Sequence, residues 1–246
     1  MSLIKYILRI ADTSLIEGQR LSEWCSKGPT LEEDIAMSNI ALDLFGQANG
    51  FLEYASKIDK KKSPDDFAFK RNEEDFYNLK ISEQPNGHFG TTMIKLFFSS
   101  TYRYLLYEEL SNSNDETISA LSLKSIKEVK YHLKHSKSWV IRLGDGTKES
   151  NNKIQQSINS LWEFTGEYFE EDSIDLEMKK NGIGLSKSIE DKWKDIVIDT
   201  LNKAKLEVPK SKYMQTGSKQ GLHTEYLGKI LTEMQSIPRK YPDAKW

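Results

Sequence analysis

The chain holds four histidines, His88, His132, His135 and His223. A helical di-iron carboxylate centre takes a Glu from each of two helices and a Glu-x-x-His pair from each of two others. That spacing works because one helical turn aims both side chains of the pair at the same metals. Here the residues three places before the histidines are Pro85, Val129, His132 and Gln220, so no Glu-x-x-His occurs. The clearest remnant is Val129-Lys130-Tyr131-His132, in which the histidine is kept and the glutamate is gone. His132 and His135 have zinc-like spacing, but no cysteine or third histidine lies nearby to complete a ligand set. The residues themselves point to no catalytic, cofactor-binding or metal-ligating set in this chain.

The other chemistry-bearing types fit a structural reading. Ile118, Leu121, Ser125, Val129, His132, Leu133, Ser136, Val140 and Leu143 recur at helical steps and turn His132 inward. An inward histidine on an apolar face is more often a hydrogen-bonded core residue than a ligand. Glu128 lies one turn before it, and with Lys127, Asp43 and Gln47 it could form a buried polar layer. Glu17 and Gln19 compete for the inward position of the first helix. The Gly217–Gly221 run precedes a helix but matches no P-loop and follows no strand. Asp145 lacks the further oxygen ligands of a calcium loop. A Ser-His-Asp triad has no strand-turn-helix elbow to carry it, and a lone Cys25 is more often inert core.

The elements that must position these residues are long helices. A first helix runs from Leu3 to Cys25 and ends at Gly28-Pro29. Thr30 and Glu33 make a capping-box pattern that opens a second, with Ile35, Leu42, Phe45, Ala48, Leu52 and Ala55 on one side. Ile40, Leu44 and Phe51 widen that face, as expected near a bundle centre. The helix frays into Lys60-Lys61-Lys62-Ser63-Pro64. Residues 65–87 predict one or two short helices with a turn at Gln84-Pro85-Asn86-Gly87. A third long helix spans 89–111, with Met93, Leu96, Phe97, Ser100, Tyr104 and Tyr107 inward. A fourth is opened by Ser113 and Glu116 and stops at Gly144-Asp145-Gly146. A fifth is marked by Ile154, Ile158, Leu161, Trp162, Thr165 and Tyr168, and shorter helices follow at 188–206 and 221–236. No prolines fall between Pro85 and Pro209, as long helices require. The expected fold is all-α, a ferritin-like long-helix bundle with additional C-terminal helices. It forms one domain over 1–246, with its core bundle at about 3–168 and a C-terminal elaboration at about 171–246.

Bulk properties exclude several classes. A chain of 246 residues with formal charge −2 and interleaved acids and bases offers no basic stripe for nucleic acid. Its one cysteine makes an internal disulfide impossible and fits a reducing, cytoplasmic setting. The N-terminal MSLIKYILRIADTS is broken by Lys5, Arg9 and Asp12 and does not read as a signal peptide. No run approaches the roughly 18 apolar residues of a membrane span.

Several runs together resemble a known family. They are SEWC (Ser22–Cys25), IALDLFGQA (Ile40–Ala48), EQPNG (Glu83–Gly87), IKEVKYHLKHS (Ile126–Ser136), QQSINSLWEFT (Gln155–Thr165) and GLHTEYLG (Gly221–Gly228). They are similar to the C-subunit family (PaaC) of the bacterial ring 1,2-phenylacetyl-CoA epoxidase, and the likeness reaches the final Trp246. The resemblance implies a ferritin-like subunit of a multicomponent monooxygenase in aerobic phenylacetate degradation. In that family a related A subunit holds the di-iron centre and binds the CoA thioester, while the C subunit packs against it as a structural partner. A small B subunit and a flavin and iron–sulfur reductase complete the system.

Compared with the catalytic relative, the second helix offers Leu42-x-x-Phe45 or Leu44-x-x-Gln47 where Glu-x-x-His would stand. The fourth helix offers Val129 with His132 kept, or, one residue back, Glu128-x-x-Tyr131. The degenerate metal positions are therefore expected at Leu42, Phe45, Val129 and His132, with apolar volume filling the centre. The resemblance thus implies no cofactor in this chain, di-iron in the partner A subunit, contact with A and B subunits, and a self-dimer as a further form. It implies neither a nucleic-acid nor a membrane partner. Two other readings compete: a di-iron oxygenase with an atypical ligand set, and a bundle that binds a hydrophobic or CoA-linked ligand.

Overall fold

A computed structural model describes residues 1–242, so Trp246 lies outside the described residues. The helices are α1 (Ser2–Ser22), α2 (Leu31–Asp59), α3 (Pro64–Phe69), α4 (Lys80–Glu83), α5 (Phe89–Leu110), α6 (Glu116–Gly144), α7 (Lys148–Leu161), α8 (Ser173–Lys180), α9 (Ile189–Lys203) and α10 (Glu225–Lys240). Short 3-10 turns lie at Glu73–Asp75, Trp162–Tyr168 and Ser218–Gln220, and no strand occurs among the described residues. The chain divides into two compact units, Met1–Pro85 with Gly217–Trp246, and Asn86–Thr216.

The first unit is built on the α1–α2 hairpin. Gly18 permits the close approach, because a Cβ there would lie 3.0 Å from the Phe45 ring and 3.3 Å from the Ala41 carbonyl oxygen. Thr30 caps α2 by accepting from the Glu33 amide at 3.4 Å, and Glu32, Glu33 and Asp34 complement the positive end of its dipole. α1 ends at Ser22, short of Cys25. Tight turns follow, in which the Trp24, Cys25 and Lys27 amides bond back to Leu21, Ser22 and Trp24. Ser63 and Asp66 form a reciprocal capping box that starts α3 at Pro64.

The second unit is built on the α5–α6 hairpin. The N-cap of α6 is Asp115, whose Oδ1 accepts from the Ile118 amide at 2.9 Å. Ser113, the expected cap, accepts instead from the Asp115 amide at 3.1 Å. A carboxylate two residues nearer the helix answers the exposed amides better than the hydroxyl. Phe98, Trp162, Tyr168, Phe169 and Trp193 pack as an aromatic cluster, and the Trp193 indole donates to the Phe98 carbonyl at 3.1 Å. The expected fifth helix is α7 followed by the 3-10 turn Trp162–Tyr168. α8, opened by an Asp172–Asp175 capping box, lies in a stretch where the sequence pattern marks no helix.

The last helix begins at Glu225, not Gly221, because Thr224 is its cap. It continues past 236 to Lys240, with Pro238 inside its final turn. A proline costs least where few further helical bonds depend on it. Long antiparallel helix pairs are the unit of a ferritin-like bundle, and the fold class is all-α and ferritin-like.

Candidate functional site

The positions where a di-iron centre would find its ligands are set by which helical face is buried. On α1, Glu17 is buried and Gln19 only half-buried, so Glu17 takes the inward place. On α2 the buried row is Met37, Ile40, Leu44, Ala48, Phe51 and Ala55, with Gln47 beside it. Leu42 is 65% exposed and stands in an outward row with Leu31 and Ile35. Phe45 lies between the two faces, against Gly18. The expectation that Leu42 fills the centre is therefore corrected. At 100° per residue, positions 35 and 42 fall nearly opposite 37, 44 and 51. The inward pair on α2 is Leu44-x-x-Gln47.

On α5 the buried polar residues include Ser100 and Arg103, while Tyr104, expected inward, is half-exposed and donates its hydroxyl to Glu108. That bond, with burial and the Glu108 charge behind it, pushes the Tyr104 pKa up to about 12. On α6, Val129 and His132 are both fully buried, and the Ser136 hydroxyl donates to the His132 carbonyl at 2.8 Å. Glu128 is half-buried and Tyr131 exposed, so the register of α6 is Val129-x-x-His132. His135 is half-buried and stacks on Tyr131 with centroids 5.8 Å apart.

The polar layer suggested by Asp43, Gln47, Lys127 and Glu128 is not a buried one. Only Gln47 is buried; Asp43 and Glu128 are half-buried and Lys127 is exposed. Charged side chains of this length keep their heads in water unless a partner is already inside.

Neither α2 nor α6 buries a Glu-x-x-His pair. The buried residues at the three-residue spacing are Leu44 and Gln47 on α2 and Val129 and His132 on α6, and α5 buries the cationic Arg103. Hard metal pairs need several anionic oxygens, and neither leucine, valine nor guanidinium supplies one. Among the described residues, no group of three or more His, Cys, Asp and Glu side chains is placed to hold a metal. No described helix is long and apolar enough to cross a membrane.

Two buried charged clusters, both in the first unit, have no counterpart in the sequence-based expectations. In one, Arg71 forms a buried bidentate pair with Asp12 of α1. Asp12 also accepts from the Tyr77 amide at 3.0 Å, and the Arg71 guanidinium lies 4.1 Å from the Phe76 ring centroid. In the other, the Glu83 carboxylate is fully buried. Its Oε1 accepts from Asn78 Nδ2 at 3.0 Å and meets His223 Nδ1 at 2.5 Å. Its Oε2 accepts from the Thr224 amide at 2.8 Å and the Thr224 hydroxyl at 2.6 Å. His223 Nε2 faces the Phe76 carbonyl oxygen at 2.8 Å, and Arg20 donates to the Glu83 carbonyl at 2.9 Å. The His223 side chain is closed off from solvent and joins the Phe76–Glu83 stretch to the segment that opens α10. The signal was present: Glu83 lies in EQPNG and His223 with Thr224 in GLHTEYLG, two of the runs that carry the family resemblance. Periodicity could not join residues 140 apart in sequence.

Residues 1–246 match the model of a family described as phenylacetic acid catabolic protein, PaaA/PaaC. The chain is 43% identical over 245 residues to the C subunit of 1,2-phenylacetyl-CoA epoxidase from Escherichia coli (strain K12), covering 99% of each chain. A chain that is all-α over its described residues, matches this family model from residue 1 to 246 and shares 43% of its residues with that C subunit belongs to the PaaA/PaaC family of phenylacetic acid catabolic proteins.

Proposed function

We propose that this chain is the structural, non-catalytic C-type subunit of a ring 1,2-phenylacetyl-CoA epoxidase, a multicomponent monooxygenase of aerobic phenylacetate degradation. In this reading it docks on a di-iron catalytic A subunit, supports it, and also meets the small B subunit in the cytoplasm. The observation that carries the reading is the 43% identity, over 99% of each chain, to the C subunit of such an epoxidase. The degenerate ligand positions support it: Leu44 and Val129 exchange metal-binding carboxylates for apolar packing, so this bundle needs no iron to offset buried charge. The outward row Leu31, Ile35 and Leu42 on α2 supports the docking part, since an exposed apolar row is what a partner protein covers.

The test is co-expression with the A subunit, followed by iron analysis and epoxidation assays of the separate and joined chains. The two chains are expected to co-purify, with iron in the A subunit and negligible iron in this one after anaerobic loading with ferrous ion. A fully soluble, fully active A subunit in the absence of this chain would overturn the supporting role. About two irons per copy of this chain, the content of a di-iron site, would overturn the non-catalytic assignment.

A further inference from the structure

His223 sits between two oxygens that act as acceptors. Its Nε2 faces the Phe76 backbone carbonyl at 2.8 Å, and its Nδ1 faces the Glu83 carboxylate at 2.5 Å. A neutral imidazole carries one N–H and can satisfy only one of them; the imidazolium carries two. Both side chains are closed off from solvent, so water cannot stand in for a missing donor. The same carboxylate accepts from the Thr224 amide and hydroxyl, and Thr224 is the cap from which α10 starts. One proton therefore sets how firmly the C-terminal segment is held.

We propose that Glu83 and His223 form a proton-dependent latch that holds α10 and its leading segment on the Phe76–Glu83 stretch. Loss of the imidazolium proton turns a ring-nitrogen lone pair toward an oxygen and loosens α10 while the α1–α2 hairpin stays folded. The other charged groups around the ring come from each element packed on α10. Glu83 comes from α4 and Glu73 from the 3-10 turn before it, and both favour the cation. Arg20 of α1 is engaged by the Glu83 carbonyl and by Glu23. After α3, Arg71 spends its charge on Asp12 and offers α10 its carbonyl, which Gln235 and Arg239 grip. On α10 itself, Glu225 adds a further negative charge in the first turn.

Burial opposes the charged ring, but the hydrogen bond and charge of Glu83, the Phe76 carbonyl and the Glu73 charge outweigh it and raise the His223 pKa above the ordinary histidine value. A raised folded-state pKa gives stability that is fully present below the unfolded value of about 6.5 and is lost as pH rises through the folded one.

Hydrogen–deuterium exchange of the full chain between about pH 6 and 9, corrected for intrinsic rates, tests the latch. Protection of Glu225–Lys240, relative to α1 and α2, is expected to fall by up to about tenfold per pH unit as pH rises from about 6.5 to the raised His223 pKa, and to level off above it. In His223→Gln this relative protection is expected to be flat with pH. Parallel loss of protection in α10 and the α1–α2 hairpin, or an unchanged pH dependence in the variant, would overturn the proposal. Ring nitrogen NMR of the wild-type chain decides independently if the variant fails to fold. Predominant imidazolium at about pH 6.5 is expected, and a single neutral tautomer there would sink the latch.

Discussion

At the scale of single residues, the strongest commitments of this chain are its buried charges. Asp12 and Arg71 are almost wholly withdrawn from water, and the aspartate also holds the Tyr77 amide. Removing one partner leaves the other charge buried without its counter-ion, which costs about 3–5 kcal/mol. Asp12→Ala is therefore expected to lower unfolding free energy by that amount in urea titration. Replacing both residues with apolar ones of similar size is expected to recover much of the loss, because the desolvation penalty then disappears as well. An equally severe double variant would mean that the bonds the Arg71 guanidinium donates to the Phe67 and Asp75 carbonyls, and not the ion pair, carry the stability. The sequence offered Asp12 only as a break in an apolar N-terminus. A buried pair 59 residues apart leaves no local trace, since each partner alone reads as a surface charge.

At the scale of elements, the long helices were legible and the phase of α2 was not. The α2 stretch is apolar on so many sides that Leu42 and Leu44 both read as inward, and only packing against α1 selects between them. Two substitutions expose the difference. Leu44→Glu places a carboxylate at a fully buried position and forfeits leucine packing, so a loss of at least about 3 kcal/mol is expected. Leu42→Glu, on the outward row, is expected to change stability by no more than about 0.5 kcal/mol. Thermal unfolding of the isolated chain compares them, and equal losses would reverse the assignment of faces. Helix ends were better read where the signal was local: Thr30 caps α2 as expected. The choice of Asp115 over Ser113 turned on which group reaches the first-turn amides. Asp115→Ala is accordingly expected to cost about 1 kcal/mol, while Ser113→Ala costs less. At the other end of α6, a Cβ on Gly144 would meet the Ala204 Cβ at 2.8 Å and Leu206 Cδ1 at 2.9 Å. Gly144→Ala is expected to destabilise by about 1–3 kcal/mol through overpacking. The glycine looked like a stop signal in the sequence; in the structure it also makes room for the turn that follows α9.

At the scale of the whole molecule, the described residues from 1 to 85 and from 217 to 242 belong to one compact unit. The C-terminal segment from Gly217 returns to the N-terminal residues, and its bonds to them are specific. His223 and Thr224 hold Glu83, Gln235 and Arg239 hold the Arg71 carbonyl, and Gly221 passes so near the Glu74 carbonyl that no Cβ fits. This return was not legible from composition or periodicity, which mark where helices start and stop but carry no information about which distant segments meet. Residues 70–85 contain only short helical pieces and cannot hold their own shape, because so few residues share the entropy cost of ordering. They are kept in place by α1 on one side and the returning segment on the other. Deleting residues 217–246 should then leave the α1–α2 hairpin helical but release the 70–85 stretch, uncovering Phe76, Leu79 and Ile81, which are otherwise buried. Limited proteolysis is expected to cut the truncated chain first between Arg71 and Glu83, at sites protected in the full-length chain. Apolar dye binding should rise in parallel. Unchanged cleavage there after truncation would show that α1 alone orders the stretch. In that case the returning segment would be a passenger on the first unit and not its fastening.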